Sequence, residues 1–214
     1  MTGTGIGSST GSALRIDHAV TSGTFSLDGQ TFDVDNNVWV LGDDRECLVV
    51  DPAHDLPAVE ALVDGRRVVA VVCTHAHDDH CRLAPAAGAR LEAPVLLHPD
   101  DAPVWRLTHG DLRWDQDLAD GQVLTVAGAQ VHVVHTPGHS PGSVCLHVPS
   151  LGTVLTGDTL FQGGPGATGR SFSDRGTIEA SIRSRLFVLP DETVVRTGHG
   201  EDTTIGAEAD ALGR

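Results

Sequence analysis

The sequence contains no lysine, so its positive charge rests on 14 arginines against 29 acidic residues, giving a formal net charge of −15. Such a balance opposes non-specific attachment to DNA, RNA or an anionic membrane surface. No apolar stretch approaches the roughly 20 residues of a membrane-spanning helix. The opening segment "MTGTGIGSSTGSAL" has neither a basic nor an apolar region and does not read as a secretory leader. It reads as a flexible tail over residues 1–13, followed by a single domain over 14–214, and the location expected is cytoplasmic. Cysteine is sparse: Cys47, Cys73, Cys81 and Cys145 form no C-x-x-C pair. That excludes a zinc ribbon or a thioredoxin-like motif and leaves buried free thiols as the expectation.

What is present suits an ordinary globular domain. Hydrophobic residues make up 40% and charged residues 20% of the 214 positions, enough to bury a core without cross-links. Asp28-Gly29 sits between two alternating segments and predicts a hairpin. "NNVWVLG" and "CLVVDPA", parted by "DDRE", read as antiparallel strands. Leu56, Val59, Leu62 and Val63 keep a helical spacing that ends at Gly65. "RRVVAVV" is a buried strand, "APVLLHP" another, and "DDAPVWRLTHG" a short helix. Two further hairpins turn at Gly128 and at Ser150–Gly152. Ile178, Ile182, Leu186 and Leu189 mark a helical face before Pro190, "TVVRTGHG" is a late strand, and "TTIGAEADAL" a closing helix. This order predicts two sheets with helices covering their outer faces.

Four strand ends carry an abrupt polar turn: "VVAVVCTHAHDDH", "VHVVHTPGHS", "TVLTGDT" and "TVVRTGHG". They supply His75, His77, Asp79, His80, His139, Asp158 and His199. Five imidazoles and two carboxylates form a donor set for a divalent metal, zinc first and iron or manganese next. In an extended or sharply turning segment His75 and His77 point the same way, because side chains repeat every two residues. They would share one metal with His139. Asp79 and His80 follow a bend and would reach a second metal with His199, while the two oxygens of Asp158 would bridge both. Stacking several uncompensated charges at a buried strand end costs several kcal/mol each, by order of magnitude, and bound cations remove that cost. The remaining histidines (His18, His54, His98, His109, His132, His135 and His147) read as surface or core residues, and Asp78 as solvated. Trp105 and Trp114 read as core or surface anchors, with the substrate cleft as the alternative.

"HAHDDH", "TPGHSPGS", "GDTLFQGGPGATGR" and "TGHG" together resemble the metallo-β-lactamase-fold hydrolases, and among them the glyoxalase II-like branch, over roughly residues 18–205. The resemblance implies an α/β fold: an αββα sandwich of two mixed β-sheets with helices on the outer faces and the metals at one edge. It implies the same division of the seven ligands between two divalent ions. Asp51 matches an aspartate that supports the site from behind. Arg170 matches the arginine closing the Gly-rich segment, which braces that loop or meets an anionic substrate. The implied activity is hydrolysis of an acyl thioester of a small thiol by a metal-bridging hydroxide, with Asp79 and Asp158 as the catalytic carboxylates. Two other activities of the fold stay open: mononuclear-iron persulfide oxygenation, and hydrolysis of a lactone or other ester. β-Lactam hydrolysis is disfavoured, because His and Asp stand where secreted β-lactamases commonly place a cysteine. Only about fifteen residues follow His199, without the helical extension that helps glyoxalase II enzymes hold glutathione, and "PGAT" lengthens the Gly-rich segment. A thiol carrier other than glutathione, such as mycothiol, therefore stays open.

Overall fold

Alternation along single strands builds two facing sheets. The computed structural model describes residues 13–213, so the expected tail lies outside the described residues except for Ala13. Strands β1 (Arg15–Leu27) and β2 (Gln30–Gly42) form one long antiparallel hairpin. Its turn is Asp28-Gly29, both with positive φ, as a two-residue hairpin turn requires. The segment expected as a separate strand near Asn37 is the second half of β2. Strand β3 (Glu46–Val50) runs antiparallel to β2. Helix α1 (Leu56–Val63) begins where the Asp55 carboxylate accepts from the Ala58 N–H, and ends at Asp64 in the left-handed region.

The first sheet continues with parallel strands. β4 (Arg67–Val72) pairs with β3; helices α2 (Asp78–Cys81) and α3 (Ala84–Leu91) follow. Neither helix is expected from apolar spacing. Alanine's high helix propensity and Pro85 in the first turn account for α3. β5 (Val95–Leu97), α4 (Ala102–His109) and β6 (Gln116–Asp117) complete a sheet ordered β1-β2-β3-β4-β5-β6.

The second sheet contains β7 (Val123–Val126), β8 (Ala129–His135), β9 (Val144–Val148) and β10 (Thr153–Gly157), all antiparallel neighbours. A small ribbon of β11 (Leu160–Phe161) and β12 (Gly164–Pro165) precedes α5 (Arg175–Ser181). The expected helical face of Ile178, Ile182 and Leu186 is continuous, although the α-helix passes into a π-turn over Ile182–Leu186. Strand β13 (Val194–Thr197) lies parallel to β10, β14 (Thr203–Thr204) pairs with β13, and α6 (Ile205–Ala211) follows. The order is β14-β13-β10-β9-β8-β7.

Three apolar layers hold these elements together. Trp39, Leu41, Leu48, Val72, Val133 and Leu146 fill the space between the sheets. Val38, Val40 and Val49, facing the other way from the same strands, pack against Val59, Ala87 and Trp105 of the helices. Cys145, Val154 and Val195 pack against Ile178, Ile182 and Ile205 on the far side. The result is the expected αββα sandwich, with strands buried on both faces. All four cysteines are buried free thiols. Among the described residues, no helix is long and apolar enough to cross a membrane.

Candidate metal centre

Seven side chains from both sheets meet at one edge of the sandwich. His75, His77, Asp79 and His80 follow β4. His139 lies between β8 and β9, Asp158 follows β10, and His199 follows β13. The chain bends at Thr74 and His75, is extended at His77, the N-cap of α2, and then coils through Asp79 and His80. Gly198 keeps the last loop close: a Cβ there would lie 2.2 Å from Asp158 Oδ1 and 2.8 Å from His80 Cε1.

Two donor sets result. In the first, His77 Nδ1 lies 3.1 Å from His75 Nε2 and 2.9 Å from His139 Nε2. In the second, His199 Nε2 lies 3.2 Å from His80 Nε2 and 3.3 Å from Asp79 Oδ2. Asp158 stands between them: its Oδ2 is 3.5 Å from His139 Nε2 and 3.4 Å from His199 Nε2, and its Oδ1 is 3.3 Å from His80 Nε2. Ligands of a tetrahedral zinc stand about 3.3 Å from one another. Both three-residue sets are therefore spaced to hold a metal ion.

The hydrogen bonds behind the rings decide between a metal centre and a plain hydrogen-bonded cluster. His139 Nδ1 donates to the Ala167 carbonyl at 2.9 Å, and His199 Nδ1 to the Asp35 carbonyl at 2.7 Å. His80 Nδ1 donates to Asp51 Oδ2 at 3.0 Å. Thr74 Oγ1 gives its own proton to Asp51 Oδ2 at 2.6 Å, and so accepts from His75 Nδ1 at 3.1 Å. A neutral imidazole that donates from one nitrogen has a lone pair on the other. With the rings neutral, four inner Nε2 atoms would converge as lone pairs, the arrangement of metal-ligating histidines. Asp79 Oδ1 and Asp158 Oδ1 are buried without a hydrogen-bond partner. Such convergence is unfavourable without cations, and the chemistry of the donor set fits divalent metal.

Charge shifts follow from the same geometry. Burial, then His80 and His77, pushes His75 well below the usual imidazole range; burial and His139 take His77 down to about 3. Burial alone would lower His80 and His199. The carboxylates outweigh it: Asp79, Asp158 and Asp51 raise His80 well above its usual value, and Asp158 with Asp79 raises His199 to about 10. Burial would raise Asp79, yet His80 and His199 hold it at about 2, and Asp158 is likewise held well below the carboxylate range. Protons on His80 and His199 thus occupy the electrostatic place of a cation.

All seven sequence-derived candidates come together, and none of the seven other histidines joins them. His18 stacks on Trp39, His98 on His135, and His109 on Trp105. His54 lies closest, donating from Nε2 to Asn36 Oδ1 at 2.8 Å. Asp51 lies within ligand reach of His75 and His80, but its oxygens already accept from Thr74 N, Thr74 Oγ1 and His80 Nδ1. Arg170 turns away from the metal ligands: Nη1 donates to Gln30 Oε1 at 2.9 Å and the guanidinium covers the Phe32 ring at 4.6 Å. Asp78 departs from expectation. Instead of standing free in solvent, it accepts from the Ser26 N–H at 3.0 Å and pairs with Arg82, tying α2 to the β1–β2 hairpin. Trp105 and Trp114 are buried behind the first sheet and line a hollow of about 510 Å³ with Arg113 and Leu112, apart from the seven-residue cluster.

Sequence reasoning missed Asn36, whose Nδ2 donates to Asp79 Oδ2 at 3.1 Å. It also missed Asn37, whose Nδ2 donates to the Thr197 and Gly200 carbonyls at 3.0 Å, on either side of His199. The available signal was two adjacent asparagines opening the buried run "VWVLG".

A two-sheet sandwich with clustered metal donors at one edge defines a metallo-hydrolase. The chain belongs to the metallo-beta-lactamase superfamily, whose model matches residues 31–199. It is 32% identical over 189 residues to the "Probable metallo-hydrolase YqgX" of Bacillus subtilis, covering 81% of this chain and 89% of that protein. It is 33% identical over 171 residues to the hydroxyacylglutathione hydrolase of Chromohalobacter salexigens, covering 77% of this chain and 62% of that protein. Two crystal structures are similar. BLEG-1 B3 metallo-beta-lactamase has a TM-score of 0.75 at 30% identity, covering 89% and 97% of the two chains. TTHA1623 in a di-iron-bound form has a TM-score of 0.73 at 31% identity, covering 83% and 94%.

Proposed function

We propose that this chain hydrolyses the acyl thioester of a small thiol, using two divalent metal ions. His75, His77 and His139 would hold one ion, Asp79, His80 and His199 the other, and Asp158 both. The observation that carries this reading is the set of four imidazoles whose Nδ1 atoms are committed outward while their inner Nε2 atoms converge with two carboxylates. Bound cations would supply Lewis acidity and an acidified water at neutral pH. Asp79 and Asp158, each with one partnerless buried oxygen, orient the attacking water. Asp51 fixes the tautomer of His80 and so supports the site from behind. Attack on the carbonyl breaks the C–S bond, and a thiol with a pKa near 8.5 leaves without a strong general acid. The likeness to a hydroxyacylglutathione hydrolase supports the thioester class.

Zinc suits the donor set best; iron shares it, and the di-iron form of TTHA1623 keeps iron in view. The substrate is a small molecule in the cytoplasm, and the net charge of −15 supports neither nucleic acid nor an anionic membrane as partner. Arg170 braces the Gly-rich loop against the hairpin tip. The test is a panel of glutathione and mycothiol thioesters, a β-lactam, a lactone and a thiol persulfide, with bound metal quantified by mass spectrometry. Thioester turnover with two metals per chain supports the proposal. One iron per chain with oxygen consumption on the persulfide, or turnover confined to the lactone or β-lactam, overturns it.

A further inference from the structure

Asp101 forgoes the job its position offers. It is the N-cap of α4, where an aspartate ordinarily accepts from its own helix, yet its side chain makes no capping bond. The fully buried carboxylate reaches instead into two other loops. Oδ2 accepts from the Ala76 N–H at 2.7 Å and from Ser140 Oγ at 2.8 Å, and Oδ1 accepts from the Gly142 N–H at 2.5 Å. Ala76 lies between His75 and His77, and Ser140 follows His139. None of the three hydrogen-bond donors is a cation. Gly142 packs directly on Asp101: a Cβ there would lie 2.6 Å from Asp101 N and 2.9 Å from its Cβ. Ser143 Oγ, 2.8 Å from Ser140 Oγ, braces the same loop.

We propose that Asp101 is the positioning residue of the three-histidine set, its carboxylate stapling the His75–His77 loop to the His139 loop so that their inner nitrogens converge. This rests on the assignment of His75, His77 and His139 to one metal ion. The backbone bond from Val144 N to the Thr74 carbonyl, at 2.8 Å, still joins the two segments at their base; without the staple, Ala76 and Ser140, the positions beside the ligands, lose their shared acceptor, and the three nitrogens spread. The second set is braced by Asp51, Asn36 and the Asp35 carbonyl, and does not depend on Asp101.

The test isolates each set. His199→Ala leaves the three-histidine set as the competent one, and His139→Ala leaves the other. Asp101→Asn is added to each background, and Zn²⁺ affinity is measured against a chelating dye. In the His199→Ala background the added change should weaken Zn²⁺ binding by about 10- to 100-fold, the usual effect of losing a partner behind a ligand. In the His139→Ala background the change should stay within about threefold. Ser140→Ala, which removes one donor of three, should weaken the first set less, and it carries the test if Asp101→Asn does not fold. Equal affinity with and without the substitution in the His199→Ala background, or a lowered melting temperature as the sole effect, overturns the staple. Parent proteins that bind no Zn²⁺ would sink the two-metal reading itself, and the staple with it.

Discussion

His80 and Asp51 share a hydrogen bond of 3.0 Å, and it fixes which nitrogen of His80 faces the other ligands. Asp51 stands in the left-handed region with φ 50, a costly conformation for a non-glycine residue, held by two further bonds from Thr74. Strain at that residue, spent on orienting another, marks it as part of the site's support.

Asp51→Asn should therefore leave the fold intact and weaken metal binding. The amide presents a donor to at least one of three donors. Affinity at the Asp79, His80 and His199 set is expected to fall about 10- to 100-fold. Metal content after dialysis against a weak chelator measures this; full retention would contradict the role given to Asp51.

Asp158→Asn removes the one carboxylate that touches both donor sets. Hydrolysis should drop by at least the upper end of the roughly 10- to 100-fold range seen for more remote partners, and metal per chain should fall. Turnover at the wild-type rate would rule out a two-metal mechanism.

Gly198→Ala places a methyl group against Asp158 Oδ1 and His80 Cε1. The loop must shift, at a cost of about 1–3 kcal/mol. The expected outcome is a lower melting temperature together with reduced metal content. A substitution tolerated on both counts would show that the His199 loop sits farther out.

Stability without metal should depend on pH with a definite sign. Folded His199 has a pKa of about 10, above the roughly 6.5 of an unfolded histidine, and His80 is raised in the same direction. Their contribution is complete below about pH 6.5 and is lost as pH climbs toward 10. His77, lowered to about 3, works oppositely: its contribution is present above about pH 6.5 and is lost as pH falls toward 3. The chelator-treated protein should thus melt highest near pH 6.5 and lose stability between about pH 7 and 10. Metal-loaded protein should lack the alkaline loss, because cations replace those protons. Thermal melts across this range, with and without chelator, check both statements.

The ligands were legible because each breaks an apolar strand with an ionisable side chain, a pattern that a buried strand end tolerates only when something compensates it. The hairpins were legible from Asp28-Gly29 and Gly128. Helix α3 was not, since Ala84, Ala86 and Ala87 give no amphipathic period. Asp101 was not, because an aspartate in "HPDD" reads as an ordinary helix cap, and its partners at 76, 140 and 142 are brought near only by tertiary packing. Asp78 was misread for the same reason: its hydrogen bond to Ser26 joins residues 52 positions apart.

The seven donors come from opposite walls of the sandwich, four on the first sheet's β4 connection and three on loops of the second. Neither half of the chain carries a complete site. A cation bound by Asp158 and by His80 would act as a cross-link between the walls, closing a loop of some eighty residues that no disulfide closes. Cofactor loading and docking of the two halves then become one equilibrium, in which each unit of metal affinity is also resistance to the sheets parting.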